Sequence, residues 1–175
     1  MNVTSAQASG QYCVFSVRQE TFAVDATDVR EIVEMAPIVS VPHAPSCLAG
    51  LCHVRNEFVP VLLLSPFTSD SSTDLGGLSL LLLIDGPHGV WALAISQVIG
   101  LERLGQTAFE REHSSTQPNV VTGSTRWRER VVRILDMDAL ALEAAASVEH
   151  AWTLVSNTTN PSNHLAVNCG RQTAS

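Results

Sequence analysis

Three pairs of short β-rich segments, each pair joined by a few turn-forming residues, constrain the fold more than any other feature of this chain. Tyr12 to Val17 (YCVFSV) and Thr21 to Val24 (TFAV) flank Arg18-Gln19-Glu20, a connection of hairpin length. LCHV, ending at Val54, leads through Arg55-Asn56-Glu57 into FVPVLLL, and Asn56 suits a left-handed turn position. Ser79 to Ile84 and Val90 to Ile95 are joined through Asp85-Gly86-Pro87-His88-Gly89. A series of short strands without a βαβ rhythm predicts a mainly β fold built from small barrels rather than an open parallel sheet.

The intervening stretches are assigned by periodicity and by breakers. In DATDVREIVEM, Val29, Ile32 and Val33 fall at i, i+3 and i+4, which predicts a short amphipathic helix capped by Asp25 or Thr27. Pro37, Pro42 and Pro45 exclude regular helix and predict an extended, turning connection. Ser65 to Gly77 and Gly105 to Pro118 are polar and read as loops. Between and beyond them, Val98, Ile99, Leu101 and Leu104 continue an apolar segment, Arg130 to Leu135 alternates as a strand, and Asp136 to Ala146 is a helix with an acidic start. The expected organisation is a disordered arm over 1–10, one domain over 11–146 and a flexible tail over 147–175.

A chain of 175 residues has room for one domain, or one domain of two small lobes. Ten arginines, no lysine and 17 acidic residues give a net charge of −7, the wrong sign for wrapping nucleic acid or binding an anionic membrane, so the expected partner is another protein. Met1 to Gln11 lacks the pattern of a signal peptide, and the longest apolar run, Leu80 to Ile84, is far short of a membrane span. A cytoplasmic location without direct membrane insertion is expected, with Cys13, Cys47, Cys52 and Cys169 as thiols.

No constellation points to chemistry. His43, Cys47, Cys52 and His53 lie close together, but their spacing matches no standard zinc pattern, and adjacent side chains on a strand face opposite ways. No G-x-S-x-G elbow appears, and the glycines are scattered rather than gathered into a phosphate-cradling loop. Arg126, Arg128 and Arg130 flank Trp127, but Glu129 interrupts them, which favours a solvated hairpin turn over a nucleic-acid platform. The expectation is therefore no enzyme, no catalytic residue, no metal and no cofactor.

The order of the segments resembles the CheW-like domain family. YCVFSV, TFAVDATDVREIVEM, PIVSVPHAP and LAGLCHVRNEFVPVLLL follow the family's aromatic-apolar strand, VREI segment, proline-rich connection and arginine turn leading to V-P-V. WALAISQVIGLERL and VTGSTRWRERVVRILDMDAL are similar to its second half, so the likeness covers roughly Gln11 to Ala145. It implies two small five-stranded SH3-like β-barrels around a shared apolar core, with short helices. It also implies a non-enzymatic adaptor that couples methyl-accepting chemoreceptors to the regulatory domain of a CheA-type histidine kinase, in chemotaxis or in pilus or surface motility. Matched by motif, Val29, Glu31, Ile32, Gly50, Val54 and Arg55 are the candidate partner-binding residues, and Glu31 with Arg55 is similar to a charged pair common in the family. Two departures stand out. Asn56 replaces the turn glycine, and Leu63-Leu64-Ser65-Pro66 lacks the acidic residue usual after V-P-V. The second departure motivates an alternative, a divergent assembly or decoy element that self-associates without activating a kinase.

Overall fold

In a computed structural model, the described residues are 10–68, 74–87, 89–104 and 120–158. Among these residues eleven strands follow one another and an α-helix comes after them: β1 Tyr12–Val17, β2 Glu20–Asp25, β3 Val29–Glu34, β4 Ile38–Val39, β5 Leu48–Val54, β6 Glu57–Leu62, β7 Leu80–Gly86, β8 Gly89–Ile95, β9 Gln97–Glu102, β10 Val121–Trp127, β11 Arg130–Leu135 and α1 Met137–Thr158. The strands form two sheets, β10-β11-β2-β1-β9 and β3-β7-β8-β6-β5-β4. The fold is mainly β, as expected, with the two-residue β4 extending the second sheet from five strands to six.

The three hairpins stand where the turn chemistry put them. Arg55 and Asn56 turn the β5–β6 hairpin with φ of 45° and 71°. Two consecutive left-handed residues are the requirement of a type I′ turn, whose twist matches that of the strands. Arg128 and Glu129 repeat this between β10 and β11, with φ of 45° and 64°, so the arginine-tryptophan cluster is a hairpin turn.

The two sheets share one wiring. In the first, the β10–β11 hairpin lies with β11 parallel to β2, and β1 carries β9 on its far side. In the second, the β5–β6 hairpin lies with β6 parallel to β8, and β7 carries β3. Gly50 and Gly123 occupy equivalent bulges, each the same distance before its turn arginine. Bulges bend strands and increase their twist, which lets such short strands curl around a small core.

Alternation along the strands sorts the apolar residues into three clusters. Val14, Ala23, Val132 and Ile134 fill the first sheet's own interior, and Cys52, Val59, Val61, Leu81 and Leu83 fill the second's. The opposite faces, with Phe15, Phe22, Leu82 and Leu93, meet in a shared core that α1 completes through Met137, Leu140 and Ala144. Leu140 is fully buried, and truncating such a leucine to alanine costs about 2–5 kcal/mol. Asp136 caps the helix, its carboxylate accepting the Ala139 N–H at 2.9 Å, an arrangement worth about 0.5–2 kcal/mol.

Four expectations are corrected. The VREIVEM segment is strand β3, not a helix. A bulge at Arg30 shifts its phase: Val29 pairs with Ile84 and Ile32 with Leu82, while Glu31 and Val33 pair with Leu83 and Leu81. Residues three apart therefore share a face, and the bulged strand imitates helical spacing. Second, the proline-rich connection is extended and turning, as expected, but not unpaired throughout: it contributes β4, which pairs Ile38 with Cys52 and Val39 with Leu51. Third, Ser65–Phe67 is a 3-10 turn that buries Phe67 in the shared core, so the polar stretch is not loop throughout. Fourth, α1 continues to Thr158, through the first part of the expected tail. Ser147 and Thr153 donate hydroxyl hydrogen bonds at 2.9 Å to the carbonyls of Glu143 and Glu149, so weak helix formers are accommodated four residues after their acceptors. The expected arm over 1–9, the remaining tail over 159–175 and the loop residues 69–73 and 105–118 lie outside the described residues.

Candidate functional site

β3 is an edge strand of its sheet, and the β5–β6 hairpin tip reaches across to it. Glu31 points from β3 on the same side as Val33, and Arg55 at the tip meets it with Nη2 2.7 Å from Oε2. The Arg55 side chain is 75% exposed and that of Glu31 21%. In that setting the pair contributes about 0–1 kcal/mol to stability. It fixes the tip against the edge strand and still presents most of a guanidinium, a fork of donors suited to a carboxylate or a row of carbonyls.

The other candidates divide between surface and support. Ile32, the next residue along β3, is exposed at 39% on the face opposite to Glu31. Val29 and Val54 are half-buried and pack against the shared core and the second sheet's interior, respectively. Gly50 is buried at φ 145°, and a Cβ there would overlap the Val39 carbonyl oxygen and lie 2.7 Å from Ile38 Cγ2. Its place is therefore to let β4 close over β5. Five of the six residues thus frame one edge, with Gly50 beneath it.

A second ion pair of the same construction was not singled out from the sequence. Glu102 on β9, the counterpart of β3, lies 3.1 Å from Arg128 at the β10–β11 turn. The Arg128 guanidinium also stacks 4.3 Å above the Trp127 ring. Its signal in the sequence is the recurrence of a glycine, a turn arginine and an apolar strand at equal spacing in LAGLCHVRNEFVPVL and VTGSTRWRERVVRIL. The exposed Leu101 beside Glu102 answers to Ile32 beside Glu31.

Among the described residues, shifted acid–base groups lie in the β2–β3 connection and at two thiols. Partial burial, reinforced by Asp25, Asp138 and Asp136, raises the Asp28 carboxyl above its ordinary value. Hydrogen bonds from the Thr27 hydroxyl and N–H hold Asp25 below its own. Burial pushes the Cys13 and Cys47 thiols up, away from the reactive thiolate. Cys47 belongs to the shared core and Cys52 to the second sheet's interior, while His53 packs against Phe58 with ring centroids 5.3 Å apart. His43 is exposed, so the four residues of the possible metal cluster lie in different environments. Among the described residues, no helix is long and apolar enough to cross a membrane.

Comparison with known proteins agrees with this architecture. The chemotaxis protein CheW of Treponema pallidum (strain Nichols) is 28% identical over 120 residues, covering 65% of this chain and 66% of that protein, just under two thirds of its length. The crystal structure of the scaffolding protein TtCheW from Thermoanaerobacter tengcongensis superposes with a TM-score of 0.65 at 19% identity, covering 80% of this chain and 92% of that one. The family model of the CheW-like domain matches residues 11–145, and with the two sheets, their shared core and the arginine-turned hairpins in place, the chain belongs to the CheW-like domain family.

Proposed function

We propose that this chain is a non-enzymatic chemotaxis adaptor, a cytoplasmic scaffold that holds the regulatory domain of a CheA-type histidine kinase against methyl-accepting chemoreceptors. The observation that carries this reading is the edge built by Glu31 and Arg55: a charged fork held on an edge strand whose other face exposes the apolar Ile32, where a partner can add contacts without the chain unfolding. The family match over 11–145, the name of the Treponema relative and the scaffold assignment of TtCheW support it. Val29, Val54 and Gly50 act from behind this edge by fixing its shape.

The test is calorimetric titration of the full chain with the regulatory domain of each CheA-type kinase of its own organism, repeated with Arg55→Asp. Binding to one of them at about micromolar strength or tighter, weakened at least about tenfold by Arg55→Asp, is expected. Failure with every kinase would reject coupling and leave the self-associating or decoy reading. That alternative draws on the segment after Val61, where Leu63, Leu64 and Ser65 are all buried and offer no charged edge to a partner.

A further inference from the structure

Among the described residues, one apolar face of helix α1 is buried in the shared core and an adjoining one is largely exposed. Met137, Leu140 and Ala144 enter the shared core. Ala141, Leu142, Ala145, Val148 and Trp152 recur at helical spacing on an adjoining face and form one wall of an open groove of about 1240 Å³. Phe58 and Pro60 of β6 with Val90 and Trp91 of β8 form the other wall. Leu142, Phe58 and Trp152 are 71%, 67% and 58% exposed, an apolar concentration that marks an interaction surface rather than scattered surface residues. The groove contains none of the six candidate residues at the Glu31–Arg55 edge.

The charge of the groove selects its occupant. Its charged lining residues among those described are Glu57, Asp138 and Glu149, with no arginine. We infer that this groove docks an amphipathic helix of a partner protein, apolar on the face that enters and bearing lysine or arginine at its flanks. From Asp138 to Trp152 the helical wall runs about 21 Å, the length of about four helical turns. A second copy of α1 is a poor occupant, because the helix carries Asp138, Glu143 and Glu149 and only His150 as a potential cation, so self-pairing opposes like charges. An anionic lipid surface is disfavoured for the same reason. The Trp91 ring, 7% exposed and packed against Gly86, adds an indole N–H with no acceptor among the described residues, a donor that an incoming chain can satisfy.

The test is fluorescence anisotropy of the full chain with a labelled Leu/Lys peptide of about four helical turns, beside a Leu/Glu peptide of the same pattern. Saturable one-to-one binding of the Leu/Lys peptide alone is expected, at about micromolar strength. Leu142→Glu should weaken it at least about tenfold although it makes the groove more acidic; Leu142 is exposed, so the fold persists and thermal unfolding verifies it. Absence of saturable binding overturns the inference. Equal or tighter binding by Leu142→Glu overturns it as mere charge attraction. A concentration-dependent dimer that Leu142→Glu dissociates overturns it in favour of a second copy.

Discussion

Arg128 stands 3.1 Å from Glu102 across the gap between a hairpin tip and an edge strand. Arg55 and Glu31 stand in the same relation, at 2.7 Å, in the other sheet. Both arginines occupy the first left-handed position of their turns. Each pair thus ties a left-handed turn residue to the edge strand of its own sheet.

This equivalence predicts unequal costs. Arg128 is held by Glu102 and by the Trp127 ring, whereas Arg55 has the carboxylate contact alone among the interactions described above. Arg128→Ala should lower unfolding free energy by about 0.5–2 kcal/mol, from the ion pair and the cation–π contact together. Arg55→Ala should change it by less than about 1 kcal/mol. Urea denaturation of both variants measures the difference, and an Arg55 effect larger than the Arg128 effect contradicts the account.

Gly50→Ala should be more damaging than either. The left-handed φ of 145° is strained for any side chain, and the new methyl would overlap the Val39 carbonyl. Strain plus displacement of β4 predicts a loss of about 2–4 kcal/mol, read as a lowered denaturation midpoint with unchanged slope. Gly77→Ala is the control for conformation alone, since its φ is 76° but a Cβ there meets nothing within 4 Å.

Asp28 predicts a pH dependence. Partial burial first, and then Asp25, Asp138 and Asp136, disfavour its ionised form in the folded chain. The folded state therefore binds the proton more tightly than the unfolded state, and the group lowers stability as pH rises from its ordinary unfolded value through its raised folded one. Asp28→Asn should stabilise the protein at neutral pH by up to about 0.5 kcal/mol, the scale of an exposed substitution. The gain should vanish as pH falls below the ordinary aspartate range. Thermal unfolding of both proteins at neutral and acid pH measures it, and a gain that persists undiminished in acid refutes the electrostatic origin.

Local chemistry was enough for the three hairpins, for β11 and for the start of α1. Turn residues such as Asn56, strict alternation and the Asp136 cap act within a few residues, and the sequence shows them directly. The six candidate residues were found through the family's motif order, and five of them gather at one edge. Glu102 and Arg128 were missed because no local pattern marks Glu102. Its partner lies 26 positions away, and only the repeated wiring of the two sheets brings the two together.

By itself the sequence determined the class of fold, the acidic character and the places where the chain must turn, because each is a sum of short-range preferences. Only the tertiary structure decided that VREIVEM is a bulged strand, since pairing with β7 sets its phase. It alone ordered the parallel contacts β11–β2 and β6–β8, which join residues far apart in the chain. It also left Leu142 and Trp152 of α1 largely exposed among the described residues. The shared core accommodates a single face of a helix, and a strip of apolar residues in sequence does not say which of its faces the rest of the protein will cover.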